Sequence, residues 1–251
     1  MELVPGMSLE KFVDNQFHST LTEMQCMDIW LGAAQGLLWV HQNGFLYNDL
    51  KPDNTMYDPS SRRTVLIDFG LASSETCTYF VSGGTACYIS PEYLHRERHQ
   101  AGDIWSLAVM IMFTLRVIEL PRETWDLTKV FEEASPHRQK MGAWHDELLA
   151  KADKAPSRHL ELLRRMLCKN RRDRIWAYEL VTDLLGVHQA YRSMESIVYG
   201  DKSALCPHDG HLQTAAEKEE AHWNHPSRLD IDSQSGIGPW YDTDKARCDR
   251  D

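Results

Sequence analysis

A chain of 251 residues, 42% hydrophobic and 25% charged, can bury one good core, with room for one domain and a tail. Its formal net charge of -10 argues against a nucleic-acid binder, which would present a basic face. Six cysteines, at 26, 77, 87, 168, 206 and 248, lack the close spacing of a disulfide framework or a zinc finger, so a reduced intracellular compartment, cytoplasmic or nuclear, is expected. Glu2 and Pro5 interrupt any early apolar run, and no secretory signal is read. The most apolar stretch, 104–115, is too short for a bilayer and carries Ser106 and Thr114. No membrane partner is expected.

In chain order, residues 1–6 read as an extended segment closing in a turn at Pro5-Gly6. Ser8 is placed to cap a short helix over 9–17. Met27, Trp30, Leu31, Ala34, Leu37, Leu38 and His41 recur at helical spacing, and Asn43-Gly44 supplies the stop. Phe45-Leu46 predicts a brief strand, and 56–57 with 64–67 a hairpin across Asp58-Pro59-Ser60-Ser61-Arg62. Residues 71–90, rich in Ser, Thr, Gly and Cys and without period, predict a loop of functional length. Helices resume at 91–94 and over 103–115, the latter apolar on every face and so fully buried. A helical patch follows over 144–152. Ser157 is the expected cap of a helix carrying Leu160, Leu163, Met166 and Leu167, and Ala177, Leu180, Leu184 and Val187 mark the last one. The compact part is thus placed at 1–186 and an acidic, disordered tail at 187–251, with a helical extension over 191–199 left open. Cys206, His208, His211, His222 and His225 have spacings compatible with zinc. They are read as solvated and metal-free, because no compact pattern surrounds them.

The residues able to carry chemistry lie between these elements. Tyr47-Asn48-Asp49-Leu50-Lys51-Pro52-Asp53-Asn54 holds an acid, a cation and an amide at fixed offsets, with Pro52 preventing a simple helix. Asp68-Phe69-Gly70 follows the apolar run Val65-Leu66-Ile67, and a carboxylate at a strand end with Gly after it suits a metal ligand. Gly84-Thr85 and Ser90-Pro91-Glu92 come next. In this order the segments resemble the catalytic loop, the magnesium-binding motif and the end of the activation segment of the protein kinase family. The resemblance covers about residues 1–185. The fold it implies is mainly α: a kinase-like C-terminal lobe, helical, with a small β-hairpin carrying the catalytic and metal-binding loops. The chemistry it implies is phosphoryl transfer from ATP, with Mg2+, to a Ser or Thr hydroxyl of a protein or peptide.

Residue by residue, the resemblance implies that Asp49 orients the acceptor hydroxyl and takes its proton. Lys51 would stand near the transferring phosphate, and Thr85 would hydrogen-bond both, favouring Ser/Thr over Tyr as acceptor. Asn54 and Asp68 are the implied Mg2+ ligands. Glu2 and Val4 belong to the implied adenine-binding hinge and Met56 to the floor beneath it. Tyr47 and Phe69 would stack in one hydrophobic column, Glu92 would pair with Arg174, and Asp103 would accept hydrogen bonds from the catalytic-loop backbone.

Two departures from the family pattern qualify these expectations. Tyr47-Asn48-Asp49 replaces the usual His-Arg-Asp, and an amide cannot grip a phosphate dianion as a guanidinium does. Activation by phosphorylation of Ser73, Ser74, Thr76, Thr78 or Ser82 is therefore not expected. No Gly-rich loop or lysine strand precedes the hinge, so the smaller N-terminal lobe is read as absent. ATP binding and activity of this chain alone should then be weak, and the face that lobe would cover is open to a partner. The leading reading is a truncated Ser/Thr protein kinase. The alternative is a non-catalytic kinase-like module that binds protein, and a small-molecule phosphotransferase stands third.

Overall fold

The structure, a computed structural model, describes residues 4–16, 20–77, 79–80, 82–121 and 123–199. Its first helix, α1 (Leu9–Asn15), begins where Ser8 leaves extended backbone, and the Ser8 hydroxyl accepts from the Lys11 N–H at 3.4 Å. The helix ends at Asn15, short of the predicted 17. The long helix α2 (Glu23–Gln42) opens on a capping box that the apolar stripe did not reveal. Thr22 Oγ1 accepts from Gln25 N at 3.2 Å while Gln25 Oε1 accepts from Thr22 N at 2.9 Å. Gly44, at φ +75°, carries the chain past the helix end as expected.

Among the described residues, five short strands follow from backbone pairing more than from side-chain pattern. Strands β3 (Thr55–Asp58) and β4 (Arg63–Leu66) form the predicted hairpin, with Thr55 opposite Leu66. Strand β1 (Met7–Ser8) adds to its other edge, setting Ser8 opposite Met56. Strand β2 (Phe45–Leu46) pairs with β5 (Ser73–Ser74). Residues 71–90 are therefore not wholly loop: the β2 pairing pins their start, and a 3-10 turn at Ala86–Tyr88 shapes their end.

The hairpin rests directly on α2. A Cβ on Gly32 would stand 2.6 Å from Thr64 Cβ, and one on Gly36 would stand 2.9 Å from Leu66 Cδ1. Glycines four apart on one helical face thus form the seat for the hairpin. The hairpin's outer turn is tied down as well, since Arg62 Nε donates to Asp28 Oδ2 of α2 at 2.7 Å.

Helix α3 (Gln100–Thr114) is buried at every position from Asp103 to Met112, as its all-round apolarity requires. It begins three residues earlier than the pattern suggested. Trp30 Nε1 of α2 donates to its Thr114 hydroxyl at 2.9 Å. The turn Pro91–His95 is 3-10. Helix α4 (Pro136–Ala152) is capped by the Ser135 hydroxyl, and α5 (Ser157–Met166) starts after Pro156, which makes no side-chain cap. Ser157 is thus the first helical residue and makes no cap, because Pro156 already holds the extended backbone (ψ 135°) that a cap position needs. The last helix, α6 (Ala177–Tyr199), runs through Gly186 without a break, and its His188 reaches Asp28 of α2 at 2.9 Å. The fold is a helical lobe built around one small hairpin. Among the described residues no helix is long and apolar enough to cross a membrane. Of the tail placed at 187–251, residues 187–199 are the end of α6, and 200–251, with the five Cys and His of the zinc alternative, lie outside the described residues.

Candidate active site

The octapeptide leaves β2 and enters a 3-10 turn at Pro52–Asn54, so Asp49 and Asn54 curl back toward each other. Asn54 Nδ2 donates to the Asp49 carbonyl at 3.0 Å and to Asp49 Oδ2 at 2.9 Å. The other carboxylate oxygen, Oδ1, accepts from the Thr85 hydroxyl at 2.8 Å. Lys51 Nζ lies 3.1 Å from Asp49 Oδ2 and donates to Thr85 Oγ1 at 2.9 Å. Four residues from two distant stretches thus form one polar cluster, in which the Asp49 side chain is only 12% exposed. Its carboxylate is fixed from three sides, so its direction is set before any ligand arrives.

Asp68 joins through the hairpin. Because Thr55 faces Leu66, the ladder's next bond runs from Ile67 N to the Asn54 carbonyl at 2.9 Å. Asp68 therefore stands one residue beyond the partner of Asn54. Its backbone is left-handed (φ +59°), its Oδ1 accepts from Gly70 N at 3.1 Å, and its side chain is exposed. Left-handed aspartate is uncommon and costs energy, which the surrounding bonds must offset. Burial above all, then the charges of Asp49, Asp68 and Asp103, push the Tyr47 phenol well above the ordinary range. The neutral phenol donates to the Ile67 carbonyl, and its ring meets Phe69 edge-on at 5.2 Å. Carboxylate and amide oxygens of the kind carried by Asp49, Asn54 and Asp68 suit a hard divalent cation, and an ammonium such as that of Lys51 suits phosphate oxygens.

The loop is held from below by one carboxylate. Asp103 of α3 accepts from the backbone N–H of Tyr47 at 2.9 Å and of Asn48 at 2.8 Å, while His41 Nε2 of α2 donates to it at 2.8 Å. Asn48, left-handed at φ +69°, spends its amide on the Leu71 carbonyl and the Ser73 hydroxyl, both at 2.9 Å. Where the family pattern has an arginine, this chain ties the start of the following segment directly to the loop. A cation still approaches: Arg98 donates to the Gly83 carbonyl at 2.6 Å and to the Asn48 carbonyl at 3.4 Å, stacked over Tyr93.

Further along, Glu92 and Arg174 form a buried bidentate pair at 2.7 and 3.1 Å. Burial alone would raise the Glu92 carboxyl, but hydrogen bonds and charge from Arg174 win and hold it below its usual value. Sequence reasoning missed the residues that shape the stretch between Thr85 and Glu92. Trp144 Nε1 donates to the Cys87 carbonyl at 2.8 Å, Ser106 Oγ to that of Tyr88 at 2.8 Å, and His145 Nε2 to that of Ile89 at 2.9 Å. Three consecutive carbonyls are pinned by side chains 18 to 57 residues away. Also missed was Glu10, whose carboxyl is raised to about 7, first by a hydrogen bond with Asp53 and then by burial. No local signal marks either group.

Of the implied nucleotide contacts, Met56 sits half-buried on β3 beside β1, and Val4 lies three residues before that strand. Glu2 lies outside the described residues.

The family profile described as a protein kinase domain matches residues 1–184. The chain belongs to the protein kinase family. It is 32% identical over 128 residues to the serine/threonine-protein kinase PLK4 of Nematostella vectensis, covering 49% of this chain and 13% of that protein. It is 42% identical over 76 residues to a probable cAMP-dependent protein kinase catalytic subunit of Encephalitozoon cuniculi, covering 30% and 23%. With the serine/threonine-protein kinase Nek8 of Danio rerio it shares 31% identity over 115 residues, covering 44% and 16%. The chain thus spans less than a quarter of the length of each of these relatives. In this kinase-family lobe, the 47–54 loop and Thr85 meet at Asp49, while Glu92 of the last motif segment is anchored separately on Arg174.

Proposed function

We propose that this lobe belongs to a protein kinase that transfers a phosphoryl group from ATP to a Ser or Thr hydroxyl of a protein. The observation that carries the reading is the Asp49–Thr85–Lys51–Asn54 cluster. Asp49 is positioned as the group that orients the acceptor hydroxyl and receives its proton, with Asn54 and Thr85 holding its two oxygens. Lys51 places a positive charge where negative charge develops on the transferring group. The Thr85 hydroxyl, shared by Asp49 and Lys51, fixes their separation, and the two relatives named serine/threonine kinases support that acceptor class. Asn54 and Asp68 are the residues that would hold Mg2+, and Val4, Met56 and Glu2 would border the adenine. When bound, magnesium and ATP supply the phosphoryl group and the cation that neutralises its charge.

The test is transfer of labelled phosphate from ATP to a Ser/Thr peptide. We expect Asp49→Asn to lower kcat by about 100-fold or more with little effect on KM. Thr85→Ser should keep most of the rate and Thr85→Ala should lose at least about tenfold. Equal rates above background for the parent and Asp49→Asn would overturn the proposal.

A further inference from the structure

A second concavity lies between the first turn of α3 and the segment 171–177 that enters α6. It holds about 150 Å³, roughly the space that accepts a benzene ring and well short of the roughly 300–1,000 Å³ of a cofactor site. Ile104, Ile175 and Ala177 form its apolar wall, and Trp176, 62% exposed, stands at its side. That volume suits one Phe or Leu side chain.

The charges around the mouth are unequal. Arg171 is engaged at 3.1 Å by Glu97, which also lies 3.5 Å from His99, and Arg174 is occupied by Glu92 and by the carbonyls of Cys168 and Ala101. The exposed Arg172 has no carboxylate partner among the described residues. His99 starts α3 without a side-chain cap, which adds the partial positive charge of a fifteen-residue helix. Glu75 supplies the opposing charge on the far rim, its Oε2 accepting from Gln100 at 3.0 Å. An apolar slot with a free cation on one rim fits a side chain flanked by acid, with the acid on the arginine side.

We propose that this cavity is a docking site for an acidic peptide segment of another protein, which inserts one Phe or Leu beside Trp176 and sets a neighbouring carboxylate on Arg172. The site touches the segment that follows β5 through Glu75, whose N–H donates to the Gly44 carbonyl at 2.8 Å. It also reaches Arg174, which anchors Glu92. A docked peptide is therefore tethered to the molecule at a place in contact with both ends of the stretch that runs past Asp49. The inference does not depend on phosphoryl transfer.

Binding of a fluorescein-labelled Ser-Asp-Asp-Phe-Glu-Asp-Ser peptide to the full chain, read by anisotropy without ATP, tests it. The expected result is saturable binding. It should weaken at least about tenfold when the peptide Phe becomes Ala, when its acids become amides, or with Arg172→Glu or Trp176→Ala. Melting curves establish that each variant folds; Arg172→Glu, on an exposed side chain, keeps the test decisive if Trp176→Ala does not. Absence of saturable binding, or unchanged affinity in folded Arg172→Glu, would overturn the proposal. So would a dimer seen by sedimentation velocity and abolished by Arg172→Glu, since the face would then belong to a second copy of this chain.

Discussion

Arg174 has its five guanidinium N–H groups occupied: two by Glu92, two by the Cys168 carbonyl and one by that of Ala101. Replacing it with Met leaves the Glu92 carboxylate buried and unpaired, at a cost of about 3–5 kcal/mol, read as a lowered Tm. Replacing both members, Glu92→Leu with Arg174→Met, should recover part of that loss but not all, because two carbonyls stay without donors. The pair itself was legible in the sequence through the family motif. Its carbonyl acceptors were not, since a backbone carbonyl carries no mark of which residue it will meet. His145 makes the same point from the other side. Burial lowers its imidazole to about 4, against a bond to the Ile89 carbonyl that pulls upward. The unfolded chain takes up this proton near pH 6.5 and the folded one only near 4, so stability is full above 6.5 and falls as pH drops toward 4. The loss should reach roughly 3 kcal/mol, and His145→Phe should flatten that part of the pH–Tm curve.

Among the elements, α2 and the hairpin show where pattern suffices and where it fails. The stripe of α2 located the helix, because apolar side chains at a fixed period report burial directly, and the polar turn Asp58–Arg62 between two short runs located the hairpin. Strands β1 and β5, two residues each, escaped notice since they exist only through pairing with β3 and β2. The seat at Gly32 and Gly36 escaped as well, for a glycine inside a helix reads as a weakness until its neighbour is known. That contrast gives a prediction. Gly142 of α4 has nothing within 4 Å of an added Cβ, so Gly142→Ala should stabilise by about 0.5–1 kcal/mol. Gly32→Ala gains the same helix propensity but drives a methyl into Thr64 and should destabilise by about 1–3 kcal/mol. Opposite shifts in Tm from one chemical change would confirm that α2 carries the hairpin by contact.

At the scale of the whole molecule, burial is concentrated in α3, whose residues 103–112 are all removed from solvent. Amide hydrogen exchange should therefore be slowest in α3, at the rate of global unfolding. The lobe's helical character and its central helix were readable from composition and period. The meeting of Asp49, Asn54 and Thr85 was readable only through motif, because the turn at Pro52 and the approach of a segment more than thirty residues away are facts of three-dimensional folding. Asp103 adds one more consequence. It grips the amides of Tyr47 and Asn48 from within the most protected helix, so the loop has no independent way to loosen on warming. Under the proposed function, thermal inactivation should follow the same curve as the loss of far-ultraviolet ellipticity, without a cooler inactive plateau ahead of it.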